Sequence, residues 1–321
     1  TAQKLHRVFE GILSYGEKIM CNMTTCKVFD ALCTVLHKVT YYCIKTGVTM
    51  KKTKIKKYII LIVLLIIAFI YAIWENNALQ ITFYTYSNSK LPDSFKNYRI
   101  VQLSDLHNKK FGDNGKKLAD KVLKLNPNIV VITGDIIDSN HCNINTAINT
   151  VKKIADTVPV YYVNGNHELL ITQEKQNELY SGLEHCGVII LHDTYTNLKI
   201  NKDEISLIGL SDDNLSDISL NKILESVDTD YKILLAHEPQ YIEDFSNCDI
   251  DLIFSGHAHG GQVRLPFIGG LVAPDQGFFP DYTEGVCEKN NTSMIISRGL
   301  GNSIIPIRIA NRPEIVCVDL K

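Results

Sequence analysis

The chain has 321 residues, 45% of them hydrophobic, which is enough for a large core in one or two domains. Its formal net charge of -2 lacks the strong basic excess that a surface tracking nucleic-acid phosphates carries, so nucleic acid is not expected as a partner. Nine cysteines without any C-x-x-C spacing exclude zinc-ribbon and dithiol redox motifs.

The N-terminal part of the chain is predicted to contain an extension and a membrane anchor. Helical spacing of apolar residues in residues 1–49 favours one or two amphipathic helices, an extension to which we assign no function. Several lysines then precede the uncharged run YIILIVLLIIAFIYAIW, which extends from Tyr58 to Trp74. This run is just long enough to cross a bilayer, although it is near the lower length limit. Residues 50–75 are therefore predicted to be a basic segment and a transmembrane helix.

Two alternative interpretations of this run are a cleaved signal peptide and a buried core helix. The run lacks the polar stripe of a helix on a globular surface, and no small-x-small cleavage site follows Trp74. The lysines lie before the run, and no Lys or Arg occurs from Glu75 to Ser89. We therefore expect a single-pass protein with a cytoplasmic N-terminus and a C-terminal part outside the cell membrane.

Residues 76–98 are predicted to be a polar connector, and residues 99–321 a single α/β domain. In that domain, apolar runs such as RIVQLSD and NIVVITGD alternate with amphipathic stretches such as KKLADKVLKLN. Short runs rich in Val and Ile, separated by helical stretches, are typical of sheets that are covered on their faces.

Polar residues able to bind metal follow five of the apolar runs. The five segments are Ser104-Asp105-Leu106-His107, Gly134-Asp135-Ile136-Ile137-Asp138, Asn164-Gly165-Asn166-His167-Glu168, Ala236-His237-Glu238 and Gly256-His257-Ala258-His259. Because the carboxyl ends of strands form a shared rim in an α/β domain, residues distant in sequence can converge there. Carboxylate, imidazole and amide ligands without thiolate suit Mn, Fe or Zn and exclude a structural cysteine-zinc site.

Two divalent ions side by side can clamp a phosphate and activate water for its displacement. Such a centre requires a carboxylate that reaches both ions, for which Asp135 is the candidate. His167, which follows an asparagine, is then available for proton transfer.

The order of these segments resembles the calcineurin-like metallophosphoesterase family, whose pattern is D-x-H, GD-x-x-D, GNH-[DE], H and GH-x-H. Every part of the pattern occurs in order, between Arg99 and Gly260. Two further segments are similar to the membrane-associated bacterial branch typified by the YkuE-like phosphodiesterases. They are GHAHGGQVRLP, from Gly256 to Pro266, and RGLGNSIIPIRIANRPEI, from Arg298 to Ile315.

The resemblance implies a four-layer α/β/β/α sandwich, the metallo-dependent phosphatase fold, which one transmembrane helix precedes here. It also implies two metal ions, with Asp105, His107 and His259 as ligands of one and Asn166, His237 and His257 as ligands of the other. Asp135 would bridge the ions, and a hydroxide between them would attack the phosphoester. His167 would donate a proton to the leaving oxygen or stabilise charge on the phosphate. Asp138 and Glu168 would orient the ligands without binding metal.

Side chains near these motifs leave the substrate open. Gln262 would face the substrate or belong to a plain turn. Phe278 and Phe279 lie in a Gly/Pro-rich loop that would either be exposed, where it can meet an acyl chain or the bilayer, or pack under a sheet. Three arginines would either clamp a phosphate or form surface ion pairs, namely Arg264, Arg298 and Arg308.

Together these features predict a membrane-anchored phosphodiesterase or pyrophosphatase that acts on a lipid or lipid-linked phosphate. Two alternatives remain open: a phosphodiesterase for soluble nucleotides, and a non-catalytic scaffold that binds metal. The complete set of predicted ligands favours an enzyme over a scaffold.

Overall fold

The computed structural model describes residues 52–302 and 307–321. The predicted extension, residues 1–49, lies outside the described residues. Residues Trp74–Lys321 form one compact unit, which begins within the last turn of the first described helix.

Within the described residues, the helices of more than three residues are α1 (Lys52–Asn77), α2 (Lys116–Leu123), α3 (Ile144–Ala155), α4 (Asn166–Leu169), α5 (Gln173–His185), α6 (Asp217–Leu224) and α7 (Ile242–Phe245). The strands are β1 (Gln80–Tyr86), β2 (Arg99–Leu103), β3 (Ile129–Thr133), β4 (Val160–Val163), β5 (Val188–Ile190), β6 (Thr194–Ile200), β7 (Asp203–Gly209), β8 (Lys232–Leu235), β9 (Leu252–Ser255), β10 (Arg264–Leu265), β11 (Gly269–Gly270), β12 (Val272–Ala273), β13 (Gly277–Phe278), β14 (Gly285–Lys289), β15 (Thr292–Ile296) and β16 (Glu314–Leu320).

Helix α1 includes the stretch Ile60–Asn77, which is long and apolar enough to cross a membrane. Its large apolar side chains, among them Ile60, Leu64 and Ile67, are mostly exposed. A core helix of a soluble domain buries such side chains, so this exposure contradicts the buried-helix interpretation of the run.

Two six-stranded sheets form the frame of the unit Trp74–Lys321 in the part of the chain that the structure describes. The strand order is β1-β16-β2-β3-β4-β5 in the first sheet and β14-β15-β9-β8-β7-β6 in the second. Strands β2 to β5 are parallel, as are β7, β8, β9 and β15. The fold is therefore mixed α/β, as the alternation of apolar runs and helical stretches predicts.

Both faces of each sheet are covered. Consecutive residues of a strand point to opposite sides, so one strand contributes side chains to two apolar clusters. In β3, Val130 packs in a cluster with side chains of α2, α3 and α5, whereas Val131 packs in a second cluster that joins the two sheets. In β8, Ile233 belongs to this second cluster, and Leu234 to a third one with α6 and α7. This two-sided burial explains why the strands read as continuous apolar runs.

Helix α3 illustrates how the sequence forms the covering helices. The side chain of Asn143 accepts a hydrogen bond from the backbone N–H of Thr146 (3.0 Å) and thereby caps the first turn. Ala147, Val151 and Ile154 recur at helical spacing and are buried against the first sheet.

The segment predicted as a polar connector, residues 76–98, contributes to the first sheet. It contains β1, which pairs in parallel with β16 and places Ile81 opposite Ile315. The run QITFYTY is rich in β-branched and aromatic residues, which favours a strand, but its partner lies more than 230 residues away. The α/β unit therefore begins well before residue 99.

Candidate metal centre

All five predicted segments begin within one residue of the end of a buried strand. The strands concerned are β2, β3 and β4 in the first sheet and β8 and β9 in the second. The side-chain amide of Gln102 donates hydrogen bonds to Ser255 O (2.8 Å) and Thr133 Oγ1 (3.0 Å), so it joins the ends of β2, β3 and β9. The strand ends of both sheets therefore meet at one rim, as the strand-end argument predicts.

A first group of buried ligand atoms at this rim comes from Asp105, His107 and His259, all within 4.8 Å of one another. His107 Nε2 lies 3.1 Å from His259 Nε2. His259 Nε2 lies 3.5 Å from Asp105 Oδ1. Two imidazole nitrogens and a carboxylate facing one another form a ligand set that suits a divalent transition ion.

A second group of buried ligand atoms comes from Asp135, His237 and His257. His257 Nδ1 lies 3.2 Å from His237 Nε2, and His237 Nε2 lies 3.3 Å from Asp135 Oδ2. The same oxygen, Asp135 Oδ2, lies 3.5 Å from His107 Nε2 of the first group. One carboxylate oxygen therefore faces both groups.

The outer nitrogens of His237 and His257 bear on whether these residues fit a metal ion. His237 Nδ1 lies 2.7 Å from the carbonyl oxygen of Thr133, and His257 Nε2 lies 2.8 Å from Asp275 Oδ2. Both partners are acceptors, so each histidine donates its outer N–H, and a neutral ring keeps a lone pair on its inner nitrogen. Lone pairs that face each other and a carboxylate in a buried site need a positive charge between them, and divalent cations fit this arrangement.

Electrostatics at the centre agree with this fit. Burial lowers the pKa of His107 and of His257 to about 4, which favours the neutral imidazole that binds metal. Burial would also raise the pKa of Asp135, but the positive charge of His237 lowers it overall. Conversely, Asp135 raises the pKa of His237 despite its burial. The proton shared by Asp135 and His237 puts a positive charge at the position where a bound metal ion would put one.

At many of these ligand positions the backbone has a positive φ, the left-handed conformation that glycine adopts most readily. Five of the seven predicted ligands have φ between 45° and 64°, namely Asp105, His107, Asp135, His257 and His259. This conformation costs a non-glycine residue on the order of 1 kcal/mol or more, so the surrounding packing must hold it. Gly134 has φ 82°, and a Cβ atom there would lie 2.6 Å from His237 Nδ1. Glycine at this position thus allows β3 to approach the histidine.

Asn166 and His167 open the short helix α4 beside Asp135. The backbone N–H of His167 donates to Asp135 Oδ1 (2.9 Å), and its ring meets that of His107 edge-on at 4.5 Å between centroids. His167 Nδ1 accepts a hydrogen bond from the backbone N–H of Ser139 (3.1 Å). Asn166 Oδ1 is buried and has no hydrogen-bond partner within the described residues, as expected for an oxygen that would bind a metal ion.

Glu168 is fully buried and does not belong to either group of ligand atoms. Its carboxylate accepts hydrogen bonds from the backbone N–H groups of Asp135 (2.8 Å), Gly165 (2.8 Å) and Ile137 (3.2 Å). Burial, followed by the charge of Asp135, raises the pKa of Glu168 to about 8, whereas its three backbone donors favour the charged form. Glu168 thereby ties the loop after β3 to the loop after β4.

Asp138 and Gln262 occupy turns next to the centre. Asp138 Oδ1 accepts hydrogen bonds from the backbone N–H groups of Asn140 (2.8 Å) and His141 (3.1 Å). Gln262 is buried with φ 56°, and its Oε1 has no hydrogen-bond partner in the described part of the chain.

The arginines near the centre form structural contacts. Arg298 Nη2 donates to Glu314 Oε1 (2.8 Å), and Arg264 forms an ion pair with Glu284. Arg308 is fully buried, and its Nη1 donates to the carbonyl oxygen of Arg298 (2.9 Å). These contacts favour ion pairs over a phosphate clamp for Arg264 and Arg298, whereas the surface ion-pair alternative is wrong for Arg308, which is buried and donates to backbone carbonyl oxygens.

Two residues at the centre lie outside the five segments predicted to bind metal. Asp275 belongs to the loop between β12 and β13 and accepts the hydrogen bond from His257 described above. Asn311 donates from Nδ2 to the carbonyl oxygens of His259 (2.7 Å) and Gln262 (3.0 Å), which fixes the turn that carries His259. Asn311 belongs to the segment from Arg298 to Ile315 that resembles the YkuE-like branch, but the resemblance assigned it no role, and only the folded chain brings it and Asp275 to the rim.

A family model described as calcineurin-like phosphoesterase matches residues 98–261, which span all five segments. The chain belongs to this family. It is a metal-dependent phosphoesterase, a hydrolase that acts on phosphoester bonds.

Curated relatives of this phosphoesterase cover most of the unit. It is 29% identical to the uncharacterized metallophosphoesterase YkuE of Bacillus subtilis over 77% of this chain and 87% of that protein. It is 30% identical to a transmembrane protein with metallophosphoesterase domain from Danio rerio, over 72% of this chain and 55% of that one. It is 24% identical to the phosphodiesterase YaeI of Escherichia coli, over 71% of this chain and 84% of that protein.

Proposed function

We propose that this phosphoesterase is a membrane-anchored enzyme of the YkuE-like branch that hydrolyses a phosphodiester or pyrophosphate bond in a lipid or lipid-linked substrate. It uses two divalent ions, drawn from Mn, Fe and Zn, at the rim of a four-layer α/β/β/α sandwich. The three apolar clusters, one between the sheets and one under the helices on each outer face, support this layering.

One observation carries the two-metal proposal: Asp135 Oδ2 lies 3.5 Å from His107 Nε2 and 3.3 Å from His237 Nε2. A carboxylate that faces two separate sets of imidazoles is suited to hold two ions. Asp135 is therefore assigned to both ions. We assign the remaining ligands as Asp105, His107 and His259 for one ion and Asn166, His237 and His257 for the other.

The metal ions would supply positive charge that polarises the phosphoryl group and acidifies water. His167 is the proposed proton donor. Its Nδ1 accepts the Ser139 N–H, so the neutral ring carries its proton on Nε2. In this neutral form the Nε2–H can stabilise charge on the phosphate. To protonate the leaving oxygen, the ring must first carry a second proton on Nδ1, for which Ser139 Oγ (3.1 Å) is an acceptor, and it then returns to the neutral form after the transfer.

Asp138 and Glu168 act through the loops that carry these residues. Glu168 receives the backbone N–H groups of Asp135 and Gly165, so it positions Asp135 relative to the loop that carries Asn166 and His167. Asp138 closes the turn next to Ser139, which contacts His167. Gln262, whose Oε1 is buried without a partner among the described residues, is a candidate contact for substrate.

Four observations support the membrane part of the proposal. Helix α1 contains an apolar stretch of membrane length, and a relative from Danio rerio is described as a transmembrane protein. Phe278 and Phe279 are 82% and 66% exposed close in sequence to His259, where they could meet an acyl chain. By the distribution of lysines around α1, the N-terminus is cytoplasmic and the catalytic unit lies outside.

The test of the catalytic proposal is a substrate screen on the purified full chain. Bis-p-nitrophenyl phosphate, phospholipids, lipid diphosphates and cyclic nucleotides are offered with Mn, Fe or Zn, and bound metals are counted by mass spectrometry. We expect two ions per chain and faster turnover of lipid phosphates in detergent than of nucleotides. Preference for nucleotides would contradict the lipid assignment, and a chain that binds no transition ion would contradict the enzyme mechanism.

Orientation has a separate test. A reporter enzyme fused after Lys321 that is active only outside the cytoplasm should be active in cells, whereas a reporter that functions only in the cytoplasm should be silent. The opposite pair of results would place the catalytic unit in the cytoplasm.

A further inference from the structure

Six exposed apolar side chains lie on the loops that follow β9 and β15 in the catalytic unit. We call this set the apolar rim, and it consists of Phe267, Ile268, Phe278, Phe279, Ile307 and Ile309. Aromatic side chains of this size rarely remain in water in such numbers without an interaction, because each can bury roughly 150–250 Å².

Backbone hydrogen bonds hold the segments of the apolar rim side by side. The N–H of Arg264 donates to Ile309 O (3.0 Å), which sets the β10–β11 hairpin, with Phe267 in its turn, next to Ile309. The N–H of Leu271 donates to Val263 O (2.9 Å), and the N–H of Phe279 donates to Leu271 O (2.9 Å). The members of the apolar rim therefore belong to one connected group of loops.

The last turn of α1 is bonded to the same segment. Asn76 Oδ1 accepts from the backbone N–H of Arg308 (2.9 Å), and Asn76 Nδ2 donates to Arg308 O (3.2 Å). Arg308 is buried, whereas Ile307 and Ile309 on either side of it are exposed, so both isoleucines point away from the core. The apolar rim thus begins beside the end of the membrane-length helix.

Basic side chains gather at the same helix end. The guanidinium of Arg312 lies 4.7 Å from the ring of Trp74, and its Nε donates to Ala78 O (2.9 Å). Lys121 Nζ donates to Leu79 O (3.1 Å). Lys117 and Lys121 lie four residues apart on α2, and Lys124 follows three residues later at the end of that helix, so the three lysines share one helix face. We call Lys117, Lys121, Lys124 and Arg312 the basic group.

We propose that the apolar rim and the basic group form one surface with which the catalytic unit docks onto an anionic lipid bilayer. This inference rests on the membrane anchor of the proposed function and adds a second, peripheral attachment to it. Exposed Phe and Ile side chains are stabilised among acyl chains, while lysine and arginine beside the end of α1 are attracted to anionic headgroups. An aromatic side chain at the helix end, such as Trp74, is also typical of a membrane interface.

A lipid surface explains these features better than a protein partner does. The apolar rim and the basic group both adjoin the end of the helix that would cross the bilayer. The bilayer is therefore close to both of them, and it offers acyl chains to the apolar side chains and anionic headgroups to the basic ones. Docking there holds the metal-binding rim close to phosphoesters at the bilayer surface.

The test uses the full chain in nanodiscs of phosphatidylcholine and phosphatidylglycerol that contain brominated acyl chains, which quench nearby tryptophan. Trp74 is the single tryptophan of the protein and reports the anchor. Phe267→Trp and Phe278→Trp, each combined with Trp74→Phe, report the apolar rim. Ile218→Trp in the same background is the matched control, because Ile218 is 78% exposed on α6 and lies outside the rim. Circular dichroism confirms that each variant folds.

We expect brominated lipid to reduce the emission of Phe267→Trp and Phe278→Trp to an extent comparable with Trp74, and to leave Ile218→Trp unchanged. Quenching of Trp74 with no quenching at either rim position would overturn the docking surface and leave the anchor intact. Absence of quenching at Trp74 as well would overturn the anchor and the docking surface together, whatever the catalytic assays show. Equal rim quenching without phosphatidylglycerol would overturn the role of the basic group.

Discussion

The two sides of the metal centre are held in place by different means. On the side of the first sheet, the loop of Asp135 is fixed by buried Glu168, which accepts three backbone N–H groups. On the side of the second sheet, His257 is oriented by Asp275, whose side chain is 63% exposed. The loop of Asp135 is thus positioned from the core, whereas one ligand of the second sheet, His257, takes its ring orientation from a surface loop. The orientation of His257 therefore depends on a segment with much weaker anchoring than the support of Asp135.

The largest effect is expected where the two sides meet. Asp135→Asn removes the charge of the oxygen that faces both groups of imidazoles, so both sets of ligands lose their shared carboxylate. We expect phosphoester turnover to fall about 10³-fold or more, since metal ions provide several kcal/mol of transition-state stabilisation. Metal counting should show fewer than two ions per chain. Full activity with two bound ions would contradict the central position of Asp135.

His167→Asn should separate chemistry from metal binding. The variant removes the proposed proton donor, and we expect kcat to fall about 10²- to 10⁴-fold while metal content stays unchanged. A substrate with a very good leaving group needs less protonation, so the loss should be smaller with p-nitrophenyl esters than with alkyl esters. Equal losses with both substrates would instead indicate charge stabilisation on the phosphate.

Glu168→Ala tests the side that is fixed from the core. It leaves three backbone N–H groups without their acceptor, each at a cost of about 1–3 kcal/mol, so the free energy of unfolding in urea should fall. Metal affinity should also drop roughly 10- to 100-fold, because the loop of Asp135 loses its support. Glu174→Ala is the control, since Glu174 is exposed at the start of α5. Equal stability of the two variants would refute this role.

Asp275→Ala tests the side that is fixed from the surface, and we expect the smallest effect there. Affinity for one of the two proposed ions should fall about tenfold, at the low end for such outer partners, because the carboxylate is largely exposed. Unfolding in urea should be nearly unchanged. Asp275→Asn should recover part of the affinity, since an amide oxygen still accepts from His257 Nε2. Asp281→Ala, an exposed carboxylate in the following turn, should behave like the unmodified chain.

The centre was accessible to sequence reasoning because strand ends leave a local record. An apolar run that stops at Gly-Asp or Gly-His marks both a buried strand and the polar residues that follow it, and the structure brings the segments of Asp105, Asp135 and His257 to one rim. Asp275 left no such record. Its partner His257 precedes it by 18 residues, and the loop between them has no hydrophobic period from which its path could be read.

Strand β1 shows the same limit in the fold. Its run QITFYTY carries a strand signal, yet the segment reads as a connector because nothing nearby pairs with it. Its partner β16 lies at the opposite end of the chain, and only the closed sheet shows that the two strands are neighbours. The exposure of Phe278 and Phe279 was equally undecided, since a Gly/Pro-rich loop has the same composition whether it is packed or free.

The sequence by itself determined the α/β class, the five segments that carry the candidate metal ligands and the family to which the chain belongs, because each depends on residues that are neighbours along the chain. The tertiary structure alone decided that Asp135 faces both histidine groups and that Asp275 and Asn311 support the ligand turns. It also decided that the end of α1 adjoins the apolar rim. These relations join residues that are far apart in sequence, and hydrogen bonds or packing between such residues form only when the two sheets close on each other.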